Sequence, residues 1–89
     1  MQEGFVYILK SKKTGAYYLG SSKDVGRRLK QHNAGLTRST KKYLPWEVIF
    51  VKKYEEISQA RKMEYKLKKM KSRIILEKII LDQDIRMGI

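Results

Sequence analysis

At 89 residues the chain has room for one hydrophobic core and no second, and its 42% hydrophobic share suffices for a globular fold. It has no cysteine, which excludes disulfides and thiolate metal sites and fits a reducing compartment. Its 21 lysines and arginines against 9 carboxylates give a net charge of +12, a balance that favours a polyanionic partner. A merely solvated basic surface, or a ribosomal or other RNA-binding protein, has the same balance. No apolar run approaches the length of a membrane span and the N-terminus has no signal-peptide pattern, so the expectation is a soluble, cytoplasmic protein with no membrane partner, its charge compatible with work at a bacterial nucleoid. One domain over 1–89 is expected, with a core over about 3–80 and a tail over 82–89.

Two short apolar-aromatic runs, residues 5–9 (FVYIL) and 16–20 (AYYLG), flank a polar connector with Gly15. β-Branched and aromatic residues bounded by turn residues predict a hairpin. Placing Tyr7 opposite Tyr18 pairs Leu9 with Ala16 and Lys10 with Gly15, and leaves a four-residue loop over 11–14. Alternation along the strands then sets the two phenols side by side on one face. A helix follows, with Asp24 as N-cap and an end at Asn33-Ala34-Gly35. At about 100° per residue, Val25, Leu29 and His32 share one face, with Arg28 at its edge and next to His32, while Arg27 points the opposite way. Taken singly, His32 reads as a core or an exposed histidine; beside Arg28 and two strand tyrosines it reads as part of a site.

Residues 36–46 (LTRSTKKYLPW) form a loop in which Pro45 stops any helix. Arg38, Thr40, Lys41 and Lys42 suit backbone phosphates, as do Lys10, Lys23 and Arg27 nearby, although a polar connector is the plainer reading of any one of them. The continuous apolar run over 48–51 predicts a third strand, central and buried on both faces, ending near Tyr54. A second helix over 58–70, capped by Ser58, has Ala60, Met63, Leu67 and Met70 as its apolar stripe and Glu64 at the margin. Glu64 is either the salt-bridge partner of Lys68 or a metal ligand facing the tyrosines. A third helix over 72–81, capped by Ser72, is apolar almost all round and is expected to be buried or to meet a partner, a second copy included.

These residues resemble the GIY-YIG nucleases. The first signature stands as Phe5-Val6-Tyr7 and the second as Tyr18-Leu19-Gly20; Arg28 follows the second tyrosine by ten positions and His32 follows Arg28 by four, and Glu64 matches the family's metal-binding glutamate on a later helix. The order of two strands, helix, strand and helices also matches, over about residues 3–80. The small single-domain branch is the nearest, with its His-Asn-x-Gly at 32–35 and its Pro-Trp at 45–46. Phe5 and Leu19 depart from the signatures, and the late asparagine of several members has no counterpart. Val6, Leu19 and Gly20 are carried over as structural motif residues, Gly20 letting backbone and substrate approach closely.

The resemblance implies an α/β (α+β) domain, a three-stranded, mainly antiparallel sheet in the order ββαβαα, and a metal-dependent endonuclease hydrolysing DNA phosphodiesters. Branched or damaged DNA, in repair or recombination, is the expected substrate, and RNA is compatible with the same surface. Tyr7, Tyr18, Arg28, His32 and Glu64 are the implied catalytic residues. Glu64 would hold one Mg²⁺ or Mn²⁺, an ion suited to one carboxylate plus waters and phosphate. Arg28 would clasp the scissile phosphate with its planar fork. Tyr7 is assigned as base, Tyr18 as orienting water or phosphate, and His32 as supporting the tyrosine; the two tyrosine roles are exchangeable. A non-catalytic binding module keeping the fold is the alternative, and an enzyme active only within a larger complex is a third reading.

Overall fold

Strand β1 (Gly4–Ser11) is the axis of the fold in the computed structural model, which describes residues 2–86. It pairs antiparallel with β2 (Tyr17–Ser22) on one side and with β3 (Trp46–Tyr54) on the other, in the order β2-β1-β3. Between β2 and β3 lie α1 (Val25–Asn33) and a short 3-10 turn (Lys41–Tyr43); α2 (Ile57–Met70) and α3 (Arg73–Asp82) follow β3. This is the expected ββαβαα order. A central strand must have both faces covered, and β1 does: Val6 and Ile8 enter a core with Met63, Leu67 and Ile79, while Tyr7 and Leu9 pack on the opposite face with Trp46 and residues of α1. Among the described residues, no helix is long and apolar enough to cross a membrane.

The expectation of a central third strand is corrected: β3 lies at an edge. Its continuous apolar run comes from a bulge. Ile8 stands opposite Phe50 and Leu9 opposite Val48, so Ile49 is an extra residue on β3. The bulge resets the alternation, sending Val48 into the Leu9 cluster and Phe50 into the Ile8 cluster. The chain after α3 returns along this strand: the Gln83 side-chain amide donates to the Ile49 carbonyl at 3.3 Å, Asp84 pairs with Lys52 at 2.7 Å, and Ile85 is buried in the core. The expected tail thus begins as part of the fold; residues 87–89 lie outside the described ones.

The hairpin register is also corrected. Tyr7 stands opposite Gly20, and Tyr18 opposite Leu9. The shift is two residues, so the two phenols stay on one face, as diagonal neighbours instead of a direct pair. The connector spans 12–16, and Ser11 organises it: its hydroxyl accepts from the backbone N–H groups of Lys13 and Thr14, and its carbonyl accepts from Gly15. Gly15 takes the left-handed φ of 79° that this loop needs.

Helix α1 has the expected Asp24 cap, whose carboxylate accepts from the Arg27 backbone N–H at 3.0 Å. Helix α2 does not start at Ser58. It begins at Ile57 with Glu56 as N-cap, and Gln59 Oε1 accepts from the Glu56 backbone N–H at 3.1 Å. Docking moves the start forward: the Ile57 N–H donates to the Gln2 carbonyl, and Ile57 fills the space a side chain at Gly4 would take, a Cβ there falling 2.5 Å from its Cα. Ser72 caps α3 as expected, accepting from the Ile75 N–H. That helix is less enclosed than its composition suggests: Ile79 is buried and Ile75, Leu76 and Ile80 half-buried, but Ile74 and Leu81 are 77% and 84% exposed.

Candidate active site

The face of β1 and β2 turned towards α1 carries a buried aromatic group. Tyr7 is 1% exposed and its ring lies across Gly20, where a Cβ would stand 2.5 Å from the Tyr7 hydroxyl and 2.6 Å from Cζ. The close approach that Gly20 permits is therefore taken by Tyr7, a correction to its expected role towards substrate. The register explains the residue type: a tyrosine can lie over its cross-strand partner only if that partner has no side chain. Tyr18 sits beside it with ring centroids 6.4 Å apart, and packs edge-on against His32 at 4.7 Å and Trp46 at 6.2 Å. Tyr18 is half-buried and so the more accessible phenol.

His32 is fully buried at the end of α1, and its two nitrogens are both engaged. Nδ1 lies 2.9 Å from the Thr40 hydroxyl and Nε2 lies 3.3 Å from the Tyr7 hydroxyl. Thr40 Oγ1 also lies 3.2 Å from the Thr37 carbonyl, so its one proton has two acceptors to choose from. With that proton on the Thr37 carbonyl, Nδ1 carries the imidazole proton, Nε2 is bare and Tyr7 donates to it. Thr40 was expected at the surface on phosphate. It is 1% exposed, and its hydroxyl is spent on His32, which corrects that assignment. The loop that carries it is pinned at both sides. Trp46 Nε1 donates to the Thr40 carbonyl at 3.0 Å, and the Asn33 side chain brackets the Trp46 backbone, accepting from its N–H at 2.7 Å and donating to its carbonyl at 3.1 Å.

The Arg28 guanidinium lies beside the Tyr7 hydroxyl and also reaches Tyr18; Gln31 Oε1 accepts from it at 2.8 Å. Burial pushes the Tyr7 phenol above its ordinary value of 10.0, and Arg28 only partly offsets this. Burial, with Arg28 second, pushes the His32 imidazole below its ordinary value of 6.5. Both effects favour the same state, a neutral phenol donating to a neutral imidazole. Arg27 is exposed, as its helical position requires.

Glu64 reaches the site from the other side of the sheet. Its carboxylate accepts from the Ser21 hydroxyl and pairs with Lys68 at 2.6 Å, and its side chain is 20% exposed. The expected Lys68 pairing is thus present. Yet Glu64 is near enough to Tyr7 to oppose ionisation of the phenol, and Lys68 Nζ also stands 5.8 Å over the Tyr18 ring. Tyr18 and Ser21 project from opposite faces of β2, and their partners meet because β2 has no further neighbour. Among the described residues no three His, Cys, Asp or Glu side chains gather as a metal cluster. One carboxylate beside a hydroxyl is an oxygen donor set of the kind Mg²⁺ or Mn²⁺ takes together with waters, provided Lys68 yields its contact.

The remaining sequence-derived residues are dispersed. Lys10 and Lys23 sit at opposite ends of the hairpin; Arg38, Lys41 and Lys42 are exposed on the loop outside His32, with Lys42 over the Tyr43 ring. Val6 and Leu19 are core residues of the α2 face, in a different cluster from Tyr7 and Tyr18. Ser21, Asn33, Thr40 as a histidine partner, and Trp46 as a loop anchor were missed. The Asn beside His32 and the Trp after Pro45 were both visible, but nothing local pairs them across thirteen positions.

The GIY-YIG catalytic domain family matches residues 3–79. A UPF0213 protein of Staphylococcus aureus strain Mu3 is 39% identical over 69 residues, covering 76% of this chain and 83% of that one, and the Mu50 strain's protein matches equally. The solution NMR structure of a UPF0213 protein from Bacillus halodurans superposes with a TM-score of 0.56 at 30% identity, covering 89% of this chain and 83% of that one.

Proposed function

We propose, from the premise that the chain belongs to the GIY-YIG family and carries its nuclease fold, that it is a metal-dependent endonuclease acting on DNA phosphodiesters. The observation that carries the reading is the meeting of Tyr7, Tyr18, Arg28 and His32 with Glu64 at the bare edge of β2. A cluster built only for stability has little use for an arginine held against two phenols. Arg28 presents a planar donor fork where a phosphate can reach it, and its charge offsets that developing on the phosphoryl oxygens. The Tyr7–His32 hydrogen bond supports a proton path. As the phenol oxygen takes a proton from the attacking water, its own proton passes to Nε2 of His32, whose lone pair is free because burial keeps the imidazole neutral, although the same burial lowers its basicity. Tyr18, the more exposed phenol, is suited to orient the water or a phosphate oxygen. A Mg²⁺ or Mn²⁺ ion on Glu64 supplies Lewis-acid polarisation of the phosphate and the leaving oxygen when bound. The net charge of +12 suits a phosphate-dominated encounter, and branched or damaged DNA is the substrate class we favour.

The test is cleavage of linear, nicked, flapped and four-way DNA by the purified protein with Mg²⁺ or Mn²⁺. Wild type is expected to cut at least one of them. Glu64→Gln, which leaves Ser21 an oxygen partner, is expected to lose cleavage by roughly 10²-fold or more while retaining DNA binding. Salt-dependent binding with no cleavage of any substrate would make the domain a binding module.

A further inference from the structure

A groove of about 450 Å³ runs along the bare edge of β2, between that strand and the junction of α2 with α3. It shares Tyr18 and Lys68 with the candidate active site and extends away from it. Its floor is apolar, formed by Leu19, Leu67 and Leu76, and its walls carry Tyr17, Lys71 and Arg73; no carboxylate lines it. At the far end the Arg73 guanidinium lies 4.2 Å from the Tyr17 ring centroid and donates to the Gly15 carbonyl at 3.2 Å, which fixes a cation and an aromatic face together. Arg73 also meets Glu77 at 3.6 Å, outside the lining. None of Tyr17, Lys71 or Arg73 is used by the proposed reaction.

The chemistry of this groove is mixed in a way that discriminates between nucleic acid forms. A closed duplex offers phosphates to cations but keeps its base faces stacked, so an apolar floor and a tyrosine ring gain nothing from it. An unpaired strand offers both phosphates and bare base faces, and grooves that combine cations with aromatic platforms take it without regard to sequence. We propose that this groove holds an unpaired DNA segment extending from the scissile phosphate, its bases against the leucine floor and the flat Arg73 guanidinium stacked on Tyr17, and its phosphates at Lys71 and the N–H edge of Arg73. The inference rests on the nuclease reading and names its substrate class, DNA with a single-stranded extension beside the cut.

Binding is measured without metal by fluorescence anisotropy, with a blunt duplex and the same duplex carrying an oligothymidine tail, for wild type, Lys71→Gly and Lys71→Gly/Arg73→Gln. Lys71 ends α2 at a φ of 47°, so glycine removes the charge without straining the backbone. Wild type is expected to prefer the tailed duplex by about tenfold, and the double variant to lose that preference while its affinity for the blunt duplex changes less than about twofold. The salt slope on the tail is expected to fall by about 1.4, that is about 0.7 for each of two cations. Circular dichroism checks the fold; should the double variant fail it, Lys71→Gly alone is expected to lose about threefold on the tailed duplex only. A wild type with no preference for the tail, or equal losses on both DNAs, would overturn the groove assignment. A groove-dependent preference without cleavage of any DNA after Mg²⁺ is added would support the groove and overturn the nuclease reading.

Discussion

Thr40→Val tests the proton arrangement at its least conspicuous member. Valine keeps the shape of threonine and deletes only the hydroxyl, and the backbone carbonyl that Trp46 uses is untouched. Two groups lose a partner: the His32 Nδ1–H, fully buried, and the Thr37 carbonyl. Leaving the buried Nδ1 without a partner, as donor or as acceptor, costs about 1–3 kcal/mol. For a domain of this size about 1 kcal/mol moves the thermal midpoint by about 4–8 °C, so a fall of roughly 5–20 °C is expected. The second effect is specific to the arrangement. With no acceptor at Nδ1, the imidazole proton gains by moving to Nε2, where the Tyr7 oxygen can accept it, and Tyr7 then has no proton acceptor. The chain has one histidine, so ¹⁵N NMR of the imidazole reports the tautomer without ambiguity. Wild type is expected to show the Nδ1–H form and Thr40→Val the Nε2–H form, with single-turnover cleavage slowed by about tenfold or more at a temperature where the variant is fully folded. Thr40→Ser restores the hydroxyl and is expected to restore both signals. A Thr40→Val protein with the wild-type tautomer and rate would refute the reasoning, and equal losses in the serine and valine variants would assign the effect to packing.

Arg28→Ala is expected to slow single-turnover cleavage by about 10²-fold, with little rescue by Arg28→Lys, whereas Arg27→Ala leaves the rate near wild type; equal losses at the two arginines would reduce the helix to a source of charge. Gly20→Ala forces a methyl into the Tyr7 ring and is expected to cost about 1–3 kcal/mol by denaturant unfolding and to lower cleavage as well; an unperturbed Tyr7 in the variant's NMR spectrum would contradict the packing described. The His32 imidazole signals are expected to titrate below 6.5. The unfolded chain then binds this proton more tightly than the folded one, so its contribution to stability is full above pH 6.5 and is lost as the pH falls below it; a thermal midpoint flat from pH 7.5 to about 5 would contradict this.

The element order and the shared face of Tyr7 and Tyr18 were legible because alternation survives an error of two residues. The register itself was not. It depends on a glycine accepting a neighbour's ring and on Ser11 holding the loop, both contacts between residues that periodicity treats as independent. The apolar run of β3 looked central because a bulge and a strand buried on two faces leave the same trace in one dimension. Ser58 obeyed the capping preference, but the docking of Ile57 on Gly4 outweighed it. Thr40 and Lys41 stand side by side in a polar loop, and only the turn of the backbone sends one inward to His32 and leaves the other outside.

The bare flank of β2 also limits how this domain can be enlarged. Tyr18 and Ser21 lie on opposite sides of that strand, and their surroundings merge only around its rim. A fourth strand annealed there, whether inserted by design or donated by another chain, would stand as a wall between the phenols and Glu64. Ordinary three-stranded sheets gain cohesion from such an addition; here it would divide the candidate site. Accessory modules therefore have to be grafted at the chain ends or beyond β3. A peptide selected to zip onto β2 would have to displace Lys68 and Arg73 from the rings of Tyr18 and Tyr17.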